Sequence, residues 1–247
     1  MMIVGFVAFT MLDAITPSPH HYAVIDIIGQ MGLFNNLLPH PDDIIWPGPY
    51  WFFGLMIQFY IVYRLCLYRR HWVWNVLLIA ICAAIQLACD PEGEALNRWR
   101  YNFIGGMLPF GFGVLYARYM RPLNTATHLV LFLLSLFAIV LMSFNYVTWY
   151  FVPLAVCIAS VSFVKLTSRL QVAQKEYKTG FMAMLTWVGS ISAALFVCHP
   201  ITRKIFIPLS REGDYWTGLL LYIISSICLA WLFKELMKRI PSPRLKN

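Results

Sequence analysis

The chain has 247 residues, of which 60% are hydrophobic, 16% aromatic and only 12% charged, against about 25% charged in an average soluble domain. A single water-soluble globule is excluded, and disorder, a disulfide-stapled secreted module and a nucleic-acid-binding domain lose their ground with it. The formal charge of +8 then asks for a topological explanation.

Residues 1–12 (MMIVGFVAFTML) are as apolar as a membrane span but too short to cross before Asp13, so they read as the latter half of a helix. They lack the basic start and small-residue cleavage site of a signal peptide. Past Pro19, residues 22–38 carry apolar side chains at helical spacing with Asp26, Gln30 and Asn35 between them, which predicts an interfacial helix on the outer membrane face. Seven stretches then satisfy the requirement for about 20 mainly apolar helical residues. They run over 50–68, 72–89, 102–119, 126–144, 147–165, 180–198 and 216–234, with the tightest turn at Asn145 and Tyr146.

If these spans alternate across the bilayer, 14 of the 19 basic residues share one side, in the loops around 64–70, 118–121, 165–178 and 234–246. The positive-inside rule makes that side, and the C-terminus, cytoplasmic. Arg98, Arg100, Arg203, Lys204 and Arg211 fall outside, together with nine of the 11 acids. The basic balance therefore reports orientation in the membrane and calls for no nucleic acid. Tryptophans at 46, 51, 99, 149 and 216 mark the outer boundary and those at 72, 74 and 231 the inner one.

Charges inside a span mark ion or proton paths, and the span centres so drawn hold only neutral polar groups, Gln58, Gln86 and Asn102. A transporter is thereby disfavoured. The six cysteines lie in or beside apolar spans with no metal-like spacing, so neither a disulfide framework nor a metal centre is expected. Of the histidines, His71 and His128 read as interfacial, the adjacent His20 and His21 lack a third ligand, and His40 sits in a turn beside Asp42 and Asp43. His199 differs, because it is expected to end an apolar helix just before Pro200, at the rim of a bundle. The outer loop DPEGEALNRWR (90–100) mixes three acids with Arg98 and Arg100, a set able to grip a sugar or a lipid phosphate, or equally to form a solvated connector.

Three segments together carry a family resemblance. PYWFFGLMIQFYIVYRL (49–65), NFIGGMLPFGFGVLYARY (102–119) and WVGSISAALFVCHPI (187–201) resemble, in order and spacing, the acyltransferase 3 family of integral-membrane O-acyltransferases. The resemblance covers about residues 30–235 of what reads as a single membrane domain, 1–247. It implies an all-α, polytopic transmembrane helix bundle that moves an acyl group, usually acetyl from acyl-CoA (acetyl-CoA), without a metal. The acceptor it implies is a hydroxyl of a cell-surface polysaccharide or a lipid-linked sugar, and the location a bacterial inner membrane. His199 is the catalytic candidate carried over, with Gln58, Tyr60, Trp51, Ser190, Ser192, Arg98 and Arg100 as substrate-binding candidates beside membrane lipid. Family members also carry an Arg and a following His in their first helix, which this sequence lacks. The expectation is thus an N-terminally shortened member: an enzyme, a non-catalytic remnant or subunit relying on a partner protein for the missing helices, or a small envelope-glycan transporter or scaffold.

Overall fold

A computed structural model of the protein describes residues 2–15, 19, 21–38, 51–89, 99–119, 122–173 and 180–239. Among them all regular structure is helical: α1 (Met2–Ala14), α2 (Val24–Met31), α3 (Trp51–Val62), α4 (Trp72–Leu87), α5 (Phe103–Tyr119), α6 (Thr125–Met142), the single turn α7 (Tyr146–Trp149), α8 (Val152–Ala173), α9 (Gly180–Glu212) and α10 (Tyr215–Lys238). By their contacts the helices form two units, one of residues 1–32, 42–51 and 179–247 and one of residues 33–41 and 52–178.

Four stretches are long and apolar enough to cross a membrane: Thr125–Met142, Val147–Ser168, Ala183–Phe206 and Tyr215–Lys238. The other three expected spans fall on shorter helices, the apolar Trp51–Leu67 and Trp72–Leu87 and the 17-residue α5. Their outward faces are apolar, as in α6 with Leu133, Leu134, Phe137 and Leu141 exposed, while Asn75, Gln86, His128, Ser135 and Ser162 are buried. Lipid explains this inversion, because a hydrocarbon solvent gives Leu no reason to hide and leaves polar groups to find partners inside. His128, expected at an interface, is one of these buried groups.

In the second unit α4 packs on α5, and α8 on α6 and α5. Leu67, Cys82, Ile104 and Met107 form its core. Asn75 locks the α4–α5 pair by donating its Nδ2 to the Gly111 carbonyl at 2.9 Å. At the end of α3 the helix widens into a π turn, Tyr63–Leu67, in which Tyr68 N–H reaches the Tyr63 carbonyl. The Arg118 guanidinium then donates to the Leu67 and Arg70 carbonyls, each at 3.2 Å. These are carbonyls that a helix end leaves without donors.

In the first unit α9 and α10 run antiparallel, and two contacts set their register. Lys234 Nζ meets Ser190 Oγ at 2.8 Å, and Thr202 Oγ1 meets Ser226 Oγ at 2.5 Å. One expectation is corrected here. The helix does not stop at residue 198 but continues to Glu212, and its 33 residues make about 50 Å at 1.5 Å each. Its candidate span, Ala183–Phe206, takes in Arg203 and Lys204 in its last turn, while its centre holds no charge. Asp214 caps α10, its carboxylate accepting from Thr217 Oγ1 (2.6 Å) and Trp216 N–H (3.2 Å). The Thr217 hydroxyl first, and then the Trp216 amide, hold its pKa below the usual carboxylate value. A depressed carboxylate gives its support above its unfolded pKa and loses it as pH falls through the folded one. The protection of the amides in the first turn of α10, taken relative to their intrinsic exchange rates at each pH, is accordingly expected to hold near neutral pH and to fall only below the ordinary carboxylate range.

Candidate functional site

His199 lies inside α9, with Pro200 as the next residue of the same helix. Proline has no N–H to give the carbonyl four residues back, here that of Phe196. The His199 ring supplies the missing donor: its Nδ1 is 3.0 Å from the Phe196 carbonyl and 3.2 Å from that of Leu195. Both partners only accept, so Nδ1 carries the proton, and in the neutral ring Nε2 keeps its lone pair. That is the tautomer a general base needs.

The half-buried imidazole borders a groove of about 410 Å³ between α9 and α10, lined by Ser192, Leu195, Phe196, Tyr222 and Ser226 among others. The walls are mainly apolar, with polar atoms from the imidazole, the phenol and the two serines. The Ser192 hydroxyl donates to the Gly189 carbonyl at 2.8 Å and Ser190 to that of Trp187 at 2.7 Å. Each serine proton is thus held by its own helix, and only lone pairs remain to accept from a ligand. Ser190 already accepts from Lys234.

Beyond His199 on the same helix, Lys204 pairs with Asp13 of α1 and lies over the Phe9 ring, 5.8 Å from its centroid. Asp13 is 1% exposed. Phe6, Phe9 and Asp13, all buried, make one face of α1 at helical spacing. Between His199 and Lys204, the Thr202 hydroxyl donates to the His199 carbonyl at 2.9 Å and meets Ser226 of α10.

The other described candidates, Trp51 apart, belong to the second unit. Gln58 bridges two segments: its Nε2 donates to Asn36 Oδ1 at 3.1 Å, and its Oε1 accepts from Phe103 N–H, the first residue of α5, at 3.0 Å. Asn36 donates onward to the Tyr101 carbonyl at 2.9 Å. Tyr60 is 66% exposed and takes no part in this knot. Trp51 opens α3 and is half-buried. Arg100 stacks over the Trp149 ring at 4.5 Å. Arg98 lies outside the described residues, as do His20 and His40. Among the described residues no three His, Cys, Asp or Glu side chains converge as metal ligands do.

A family model described as an acyltransferase domain, that of the acyltransferase 3 family, matches residues 1–235 of the 247. The chain belongs to the acyltransferase 3 family. Neither the curated proteins nor the solved structures compared with it give a match. Membership makes this an integral-membrane acyltransferase domain, and the match takes in α1 and α2, which precede the three motifs that carried the resemblance.

In this acyltransferase 3 chain, then, His199 and Ser192 share one groove, while Gln58 is spent on holding α5 in place. Asn36, Tyr222 and the Asp13–Lys204 pair were not singled out by the motifs. Asn36 had a signal, as half of an Asn pair inside an otherwise apolar helical stretch. Tyr222 had none, since one tyrosine in an apolar helix reads as packing.

Proposed function

We propose that this acyltransferase 3 domain transfers an acyl group, acetyl from acetyl-CoA, to a hydroxyl of a cell-surface polysaccharide or lipid-linked sugar, with His199 as the base. The observation that carries the reading is the Nδ1–H bond to the Phe196 and Leu195 carbonyls, which leaves Nε2 as the basic nitrogen at the groove. The acceptor O–H proton passes to Nε2 as its oxygen bonds to the thioester carbonyl carbon. The C–S bond then breaks, and the proton leaves with the coenzyme A thiol. Tyr222 lines the same groove and has the one hydroxyl there suited to donate to the tetrahedral oxyanion. Ser192, on the wall of the same groove, accepts from the acceptor sugar. The loops rich in Lys and Arg face the cytoplasm of a bacterial inner membrane, the C-terminus with them.

The same geometry favours a second reading. An imidazole that repairs the carbonyl freed by Pro200 has a structural task already, and a non-catalytic subunit completed by a partner protein needs nothing more from it.

One variant separates the two. His199→Asn retains a side-chain N–H donor for the Phe196 carbonyl but has no basic nitrogen. If His199 is the base, coenzyme A release from acetyl-CoA in the presence of acceptor glycan falls by about 10²–10⁴-fold at an unchanged melting temperature. Turnover equal to the unsubstituted protein returns His199 to the structure alone. No turnover in either protein supports the partner-dependent reading.

A further inference from the structure

The second unit has a small pocket of its own. The end of α4, the turn that leads into α5 and the α7–α8 turn meet around a cavity of about 20 Å³, lined by Gln86, Cys89, Arg100, Val147, Trp149 and Tyr150 among others. Such a volume admits about one or two oxygen-sized atoms. Tyr150 is only 7% exposed, and its buried hydroxyl has no hydrogen-bond partner. That is costly in an apolar setting. The Gln86 amide is already committed, donating to the Ile104 carbonyl at 3.0 Å, and the Cys89 thiol reaches the Ile85 carbonyl at 3.1 Å. Among the described lining residues this leaves the Tyr150 hydroxyl and the Arg100 guanidinium, which stacks over the Trp149 ring at 4.5 Å.

We propose that this pocket binds a phosphate oxyanion at the membrane surface, with Arg100 and the Tyr150 hydroxyl as its two donors. Arginine's planar fork suits a phosphate, and the stack on Trp149 fixes the fork before a ligand arrives. The cavity takes one or two phosphate oxygens while the remainder of the group stays at the mouth. Trp149 is placed as an interfacial anchor, and at that depth the abundant oxyanion is the headgroup phosphate of a phospholipid. This inference is independent of the role given to His199.

Removing a buried hydroxyl that has no partner is neutral or stabilising, whereas removing one that holds a ligand oxygen weakens binding, so Tyr150→Phe decides by its sign. Binding is read from native mass spectrometry and melting temperature of the purified chain in detergent. The probes are dioleoylphosphatidylglycerol, phosphate-free dioleoylglycerol and inorganic phosphate. Phosphatidylglycerol is expected to bind and raise the melting temperature where dioleoylglycerol does not. Tyr150→Phe and Arg100→Gln should each weaken it by about tenfold or more, and Arg69→Gln, at the other end of the helices, should leave it unchanged. Inorganic phosphate that matches the lipid's effect identifies a free anion as the ligand at the same donors. The proposal is overturned if Tyr150→Phe binds phosphatidylglycerol as the unsubstituted protein does, or if Arg69→Gln loses as much as Arg100→Gln.

Discussion

Lys204→Met alone is expected to destabilise the domain by about 3–5 kcal/mol, the cost of leaving one member of a buried ion pair without the other. Asp13 is 1% exposed and the Lys204 side chain 13%, so the carboxylate is closed off from water while the ammonium keeps a partial contact with its surroundings. Replacing both, as Asp13→Leu with Lys204→Met, removes the two desolvation penalties together with the attraction between them. The double variant should recover most of the loss, leaving a coupling of several kcal/mol in the cycle. Unfolding by titration with dodecyl sulfate in mixed micelles measures all four corners. Equal losses for the single and double variants would show that the pair contributes by packing against Phe9 rather than by charge. The contact matters because it attaches α1 to α9 only five residues beyond His199. If the groove depends on that attachment, the double variant regains activity along with stability.

The pair also shows where a linear reading of spans fails. Counting apolar residues ends the sixth span at 198, because His-Pro reads as a helix boundary and basic residues follow soon after. The chain instead runs on in helix, for two local reasons. His199 returns a donor to the carbonyl that Pro200 cannot serve, and Asp13, from a helix some 190 residues earlier in sequence, neutralises Lys204. Neither compensation is visible in a hydropathy window, since each depends on what a side chain reaches rather than on its polarity.

What was legible followed from composition and local order. An all-helical membrane bundle, unpaired cysteines and the family itself were all written in apolar stretches and three short motifs, and described Cys66, Cys82, Cys89, Cys157, Cys198 and Cys228 are indeed free thiols. Single-residue roles were not legible to the same degree. Gln58 stands in a motif that invites a catalytic or binding reading, yet both ends of its amide are occupied by Asn36 and Phe103. Its partner Asn36 lies 22 positions away in a segment expected to rest on the membrane surface. Helical period tells which residues share a face but not which other segment that face meets. Arg100 was legible only as part of a loop able to grip a sugar or a lipid phosphate, or to form a solvated connector; that it lines one cavity with the buried Tyr150 hydroxyl was not written in the loop.

One substitution made at two glycines is expected to act with opposite signs. A methyl group on Gly54 would fall 2.5 Å from Asn36 Oδ1 and 2.6 Å from the Leu33 carbonyl oxygen. The second of these is backbone, so it cannot swing aside as a flexible side chain would. Either α3 moves away from the 33–38 segment or Asn36 gives up the Gln58 and Tyr101 contacts that hold the start of α5. Gly54→Ala should therefore cost about 1–3 kcal/mol, the usual penalty of overpacking, with a further loss if the asparagine is displaced. Gly113, in the middle of α5, has nothing within 4 Å of the same methyl. There alanine only removes the entropic handicap of glycine in a helix, and Gly113→Ala should stabilise by about 0.5–1 kcal/mol. The same dodecyl sulfate titration reads both. Two stabilising outcomes would mean that α3 and the 33–38 segment are not in contact in the membrane, and Gln58 would then have a free amide to offer a substrate.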